Sequence, residues 1–246
     1  MCGANFGQSS SLKELQTSGY PMRRAVTSEE MKLLEEKGQR IGISKLVMME
    51  NAGSAVATFA HDLVSDSSPS LERKHKVVLV AGTGNNGGDV FVAARHLVYW
   101  RNLEVVVLLI GQAGDIRTDG AKTNWEILLQ IPNVRLVVID KVANIDLIEV
   151  NAKDAAIMVI GIFGTGFKGV PRELQLKAID RVNSIDGPMK ISVDIPSGME
   201  ADSGSHDYSI KSNYTVTMHA PKVGMFTAGA DQATGDIIQV NIGIPF

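Results

Sequence analysis

The chain has a single cysteine, Cys2, among its 246 residues, which excludes a disulfide framework and a soft thiolate metal site. It also lacks a basic excess. Lys and Arg number 24 against 27 Asp and Glu, a net charge of −3, so the electrostatic footprint of a nucleic-acid binder is missing and nucleic acid is not an expected partner. No apolar run approaches the roughly 20 residues that a membrane-spanning helix needs, and the N-terminus has no apolar core of the kind a signal peptide carries. The expectation is a cytoplasmic protein without a membrane partner. Internal repeats and low-complexity segments are absent as well. What the chain does have is 44% apolar residues, enough at this length for a sizeable core, with a single α/β domain as the default.

Residues 1–22 are rich in Ser, Gly and small polar side chains with no sustained periodicity, which reads as a flexible N-terminal tail ahead of a domain over 23–246. Organised structure is predicted from Thr27, where Thr27-Ser28-Glu29-Glu30 forms a capping box before Met31, Leu33 and Leu34. Gly38 and Gly42 punctuate the end of that helix. Ser44 can cap a second, whose apolar stripe is Val47, Met48, Ala52, Val56, Phe59 and Leu63. Glu50 and Asn51 interrupt the stripe, either simply exposed or bordering a ligand cleft.

From Lys76 onward short apolar runs alternate with helical stretches. The predicted strands are 77–81, 105–110, 135–139, 155–160, 191–195, 214–218 and 237–242. Crossover helices are expected over 90–100, 115–131 and 144–150, with another, ending near Ile185, that takes Pro171 into its first turn. Such alternation implies a mostly parallel sheet covered on both faces, and ligands then bind beyond the carboxyl ends of the strands. Three of those ends are loaded. After Ala81 comes Gly82-Thr83-Gly84-Asn85-Asn86-Gly87-Gly88-Asp89, where glycines permit positive φ and close ligand approach and the following helix points its N–H groups at a bound anion. After Ile160 comes a glycine-rich turn carrying Lys168; after Val193 come Asp194-Ile195-Pro196-Ser197-Gly198. Asp194 could serve only as a cap.

The spacing of Gly82, Gly84 and Gly87 satisfies G-x-G-x-x-G, yet the second strand ends in Gly111-Gln112-Ala113 with no acid for a ribose, and no Gly-Lys-Ser/Thr follows for a P-loop. A glycine turn that merely packs tightly is the bland alternative. Two Asn, two Gly and one Asp in a single turn speak against it, because buried amides and carboxylates are costly without partners.

Taken in order, the helix over 27–34, Met49-Glu50-Asn51-Ala52-Gly53, Gly84-Asn85-Asn86-Gly87-Gly88-Asp89, Ile162-Phe163-Gly164-Thr165-Gly166, Asp194-Ile195-Pro196-Ser197-Gly198, Ala220-Pro221-Lys222-Val223-Gly224 and Ile242-Gly243-Ile244-Pro245 resemble the YjeF N-terminal domain family of NAD(P)H-hydrate epimerases, from about Arg24 to the C-terminus. The resemblance implies a Rossmann-like three-layer α/β/α sandwich, a homodimer, and an isomerase that interconverts the R and S C6-hydrates of NADH and NADPH (NADHX and NADPHX) for a separate ADP- or ATP-dependent dehydratase. It further implies substrate binding by Asn85, Asn86, Gly87, Gly88 and Asp89, by Gly164, Thr165, Gly166, Phe167, Lys168, Gly169 and Val170, and by Asp194. Proton transfer at the leaving hydroxyl falls to Asp194 as base and Lys168 as acid or charge stabiliser, although a lysine there could equally pair a phosphate. A potassium ion is implied near the nucleotide, with Asn86 and Ser197 at ligand positions, oxygen donors suited to a hard cation. Ile160 replaces the family's aspartate before Ile-Phe-Gly, so weakened or absent potassium binding is expected; Val90 replaces the glycine after Gly-Gly-Asp, which is expected to narrow the approach to the loop. Two rival readings use the same fold without turnover: a dimeric scaffold or RNA-binding module, and a nucleotide-binding sensor.

Overall fold

A computed structural model describes residues 23–67 and 74–246; the tail assigned to 1–22 lies outside the described residues. Thr27 caps the first helix, α1 (Ser28–Arg40), and the reciprocal bond from the Thr27 N–H to Glu30 is formed. Helix α2 (Lys45–Ser67) follows, with the Val47 N–H donating to Ser44 Oγ at 3.2 Å. The apolar runs become β1 (His75–Ala81), β2 (Leu103–Ile110), β3 (Val134–Ile139), β4 (Ala155–Gly161), β5 (Met189–Val193), β6 (Tyr214–Met218) and β7 (Asp236–Val240). Between them run α3 (Asn85–Leu97), α4 (Asp119–Leu128), α5 (Leu147–Ala152), α6 (Glu173–Ser184) and the short α7 (Asp231–Thr234).

All seven strands are parallel, in the order β3-β2-β1-β4-β5-β6-β7. Successive side chains point to opposite faces, and the two faces carry separate cores. Leu79, Val107, Val159 and Val193 pack beneath α2, α3 and α4 with Val56, Phe91 and Trp125. Val80, Leu108, Met158 and Ile160 pack beneath α5 and α6 with Ile148, Ile179 and Val182. Three layers result, because strands buried on both faces must be apolar throughout.

Four expectations are corrected. The helix predicted over 90–100 begins at Asn85, so the amide and glycine run is the first turn of α3 and not a loop. The helix predicted over 115–131 is divided: a 3-10 turn at Ala113–Asp115 precedes α4, because the Arg117 N–H donates to Thr83 O at 3.0 Å and ties the intervening segment to the end of β1. The stretch 144–150 likewise divides into a 3-10 turn at Val142–Asn144 and α5. Pro171 stands before the extended N-cap Arg172, outside the first turn of α6.

Candidate functional site

The strand order reverses between β1 and β4, where β1 has β2 on one side and β4 on the other. Loops leaving these two strands part in opposite directions and open the crevice that open α/β sheets use for ligands. A cavity of about 490 Å³ lies there. The ends of β1, β4 and β5 supply Asn85, Asn86, Asp89, Gly164, Thr165, Gly166, Phe167, Lys168 and Asp194, all lining it as the sequence suggested. Glu35 of α1, Lys45 of α2, Arg117, Met218 and Lys222 line it as well; sequence reading assigned none of these five to the site.

The first turn of α3 divides its labour by helical geometry. Asn85, Asn86 and Asp89 share the cavity side, as positions three and four apart do on a helix, while Gly87 and Gly88 face inward. A Cβ on Gly87 would sit 1.9 Å from Gly82 O, and one on Gly88 would sit 2.6 Å from Met49 Cε. Gly82, Gly84, Gly87 and Gly88 do not use the positive φ open to glycine; at Gly82, Gly87 and Gly88 the missing Cβ instead permits close approach, letting α3 press against the sheet and α2. Gly84 is the N-cap and makes no side-chain cap bond, which leaves N–H groups of the first turn free to meet a ligand.

On the far side Asp194 stands at the end of β5 with φ +65°, a left-handed conformation that Asp and Asn tolerate better than other side chains. Its N–H donates to Val216 O at 2.7 Å, and its Oδ1 accepts the Met218 N–H at 3.2 Å. The Lys222 ammonium donates to that same Oδ1, to Thr217 Oγ1 at 3.1 Å and to Met218 O at 3.2 Å. Lys222 is fully buried, and Asp194 nearly so. The direct partner of Asp194 is therefore Lys222, whereas Lys168 is exposed at the cavity rim. The signal for Lys222 was present in Ala220-Pro221-Lys222-Val223-Gly224-Met225: a lone cation among small and apolar residues is buried only if paired.

Desolvation holds the Asp89 carboxyl well above the ordinary carboxylate range, and the negative charges of Asp194 and Glu35 push it further while Lys222 opposes them. Glu35 is raised for the same leading reason, burial, with Asp194 adding and Lys222 and Lys45 subtracting. The cavity thus combines a charged ion pair with two carboxyls biased toward the protonated form, a set able both to give and to accept protons.

Asn86 and Ser197, at the implied potassium-ligand positions, knit loops together. Asn86 Nδ2 donates to Phe163 O at 2.6 Å and Val193 O at 3.0 Å, and its buried Oδ1 has no hydrogen-bond partner. Ser197 Oγ accepts the N–H groups of Ile162 at 2.9 Å and Phe163 at 3.1 Å, and donates to Phe163 O at 3.2 Å. A hydroxyl has two acceptor sites, so Ser197 has none left for a metal. Ile160 is fully buried in the apolar core against α6. At these two positions Asn86 Oδ1 is the one side-chain oxygen left to meet a cation, so a potassium ion here would draw its remaining ligands from backbone carbonyls.

Other expected residues lie beside the cavity. Gly87 and Gly88 pack, the Gly169 N–H donates to Glu200 Oε1 at 2.8 Å, and Val170 lines a neighbouring cavity. Glu50 binds Arg95 and, at 2.7 Å, His96 on α3; Asn51 Nδ2 donates to Ile242 O at 2.9 Å. Neither borders the ligand cleft.

The sequence profile of the family described as YjeF-related protein N-terminus matches residues 45–224. The NAD(P)H-hydrate epimerase of Cenarchaeum symbiosum is 38% identical over 225 residues, covering 89% of this chain and 95% of that protein. That of Nitrosopumilus maritimus is 35% identical, covering 89% and 95%. The bifunctional NAD(P)H-hydrate repair enzyme Nnr of Pyrobaculum aerophilum is 35% identical over 90% of this chain, which spans only 42% of that enzyme. Among solved structures, yeast ynu0, YNL200c, superposes with a TM-score of 0.70 over 89% of this chain and 87% of that one, at 24% identity, a likeness of fold.

Proposed function

Because the chain belongs to the YjeF-related N-terminal family, we propose that it is an NAD(P)H-hydrate epimerase, an isomerase interconverting the R and S C6-hydrates of NADH or NADPH. The observation that carries the chemistry is the buried Asp194–Lys222 pair facing the Asn85, Asn86 and Asp89 turn across one cavity. Inverting C6 requires its bond to the hydroxyl oxygen to break as the ring nitrogen lone pair forms a C=N bond, and water then to add at the other face of C6. The leaving oxygen takes up one proton and the adding water loses one, so the balance is zero. Asp194 is the base that receives the proton, held in place by Lys222 and the Met218 N–H. Lys168, at the rim, gives the compensating proton or balances charge growing on the oxygen, and the Asp89 carboxyl, biased by burial toward its protonated form, adds a second donor.

Substrate contacts are assigned to Asn85, Asn86 and Asp89 and to the turn from Gly164 to Lys168, with Gly87, Gly88, Gly169 and Val170 shaping these segments. No step is routed through potassium. The partners proposed are a second copy of the chain, as a homodimer, and an ADP- or ATP-dependent dehydratase that consumes one epimer. A scaffold or RNA-binding role is disfavoured by the net charge of −3 and by the intact donor set. Among the described residues no helix is long and apolar enough to cross a membrane. The test is to supply one purified hydrate epimer and follow the other by NMR. Equilibration at a rate set by enzyme concentration is expected, and no conversion beyond the uncatalysed rate would refute the reading.

A further inference from the structure

A second cavity, of about 640 Å³, opens on the β2 side of the switch point. It is lined by Gly82 and Thr83 after β1, by Gly111 and Arg117 after β2, and by Phe163 and Phe167 after β4. Arg172 and Gln175, at the start of α6, close its outer side. Arg117, Ile162, Phe163 and Phe167 line both cavities, and the two phenylalanine rings stack at 4.7 Å as the partition between them. The two spaces are therefore adjoining chambers of one crevice. Each lies within the range of roughly 300–1,000 Å³ that small-molecule sites occupy.

Their chemistry differs. The first chamber holds the proton-transfer groups; the second has Asp115 as its single carboxylate against two arginines, with Thr83 and Gln175 as neutral polar groups and glycines and apolar side chains for the rest. A chamber of that kind binds and does not react. Guanidinium groups suit phosphate oxygens, which they can engage in paired hydrogen bonds. At the junction, an Arg117 guanidinium nitrogen lies 3.7 Å from where a Cβ of Gly84 would be, so this cation stands beside the uncapped start of α3. A dinucleotide has the matching layout: one reacting nucleotide, one inert nucleotide, and a pyrophosphate between.

We propose that the second chamber seats the adenosine half of the hydrate, with Arg117 at the pyrophosphate junction and Arg172 at the outer phosphate or ribose. The assignment rests on the epimerase reading for the identity of the dinucleotide, but the seat itself is tested without turnover. ADP titrated into isotope-labelled protein should shift the amide signals of Gly111, Gly114 and Arg117. Arg172→Glu, an exposed charge reversal, should weaken ADP about tenfold, the equivalent of one charge-assisted contact, and should lower the preference for the dinucleotide hydrate over the mononucleotide hydrate by a similar factor. If ADP shifts Asn85 and Lys168 while leaving Gly111 and Gly114 still, or if Arg172→Glu binds ADP as the unaltered protein does, the seat is wrong. Failure to turn over either hydrate while ADP still shifts the Gly111 to Arg117 signals would instead overturn the epimerase reading and leave the seat standing.

Discussion

Replacing Lys222 by Met keeps most of the side-chain volume and removes the charge, which isolates what the buried ammonium does. In the folded protein its nitrogen satisfies the Asp194 carboxylate, the Thr217 hydroxyl and the Met218 carbonyl. The lysine side chain is fully buried and that of Asp194 is 15% exposed, so little water can replace the lost donor. Breaking such a pair from one side costs about 3–5 kcal/mol, because the remaining charge is left uncompensated. For a chain of this size each kcal/mol lowers the melting temperature by roughly 2–4 °C, giving an expected fall of about 6–20 °C. Asp194→Asn should cost less: the amide keeps an oxygen for the Met218 N–H, and Asn accepts the left-handed backbone. The double variant should lose less than the two single losses added together, by about 0.5–3 kcal/mol of coupling. Urea denaturation of all four proteins supplies these numbers. A Lys222→Met protein within about 0.5 kcal/mol of the original, the scatter of an ordinary surface change, would show that the ion pair is not formed as described.

The same Asp194→Asn protein should fold and yet lose about 10²–10⁴-fold in epimerisation rate, the range general acid–base groups supply; near-original turnover removes Asp194 from the mechanism. His219 is held neutral by burial and by Arg23, its pKa lowered from 6.5 to about 4. As the pH is lowered through 6.5 the unfolded chain therefore binds a proton that the folded chain refuses until about pH 4, so stability falls as the pH drops across that window. His219→Asn should flatten that part of the urea midpoint against pH, and an unchanged slope would contradict the assignment. Gly87→Ala puts a methyl against Gly82 O and should cost more than about 1–3 kcal/mol, whereas Gly166→Ala meets nothing within 4 Å and should be nearly neutral by the same denaturation assay. Initial rates measured against potassium concentration should change little, since Ser197 has no acceptor left and Ile160 offers no oxygen; a steep requirement would refute that reasoning.

The alternation of apolar runs from Val77 onward made the parallel sheet legible, because strands covered on both faces leave no other pattern. Sequence could not tell that the Asn85 to Asp89 segment is helix: paired glycines and asparagines disfavour helices, and only close packing against Gly82, Met49 and Ala121 overrides that preference. Asp194 was visible as a carboxylate at a strand end. Its partner was not, since pairing Asp194 with Lys222 and not Lys168 depends on how β6 returns beside β5. Glu35 and Lys45 were equally hidden, as α1 and α2 precede the sheet in sequence and reach the cavity only through tertiary packing.

The central position of β1 also has a bearing on synthesis. When β3 leaves the ribosome, β1 is paired on its β2 side only, and its other edge, Val77 to Ala81, waits for a strand about 80 residues further on. An unpaired apolar edge of this kind is a template for joining another chain. Fragments ending between β3 and β4 should consequently aggregate, while β4 seals the edge and, by the same docking, brings the two walls of the ligand crevice together.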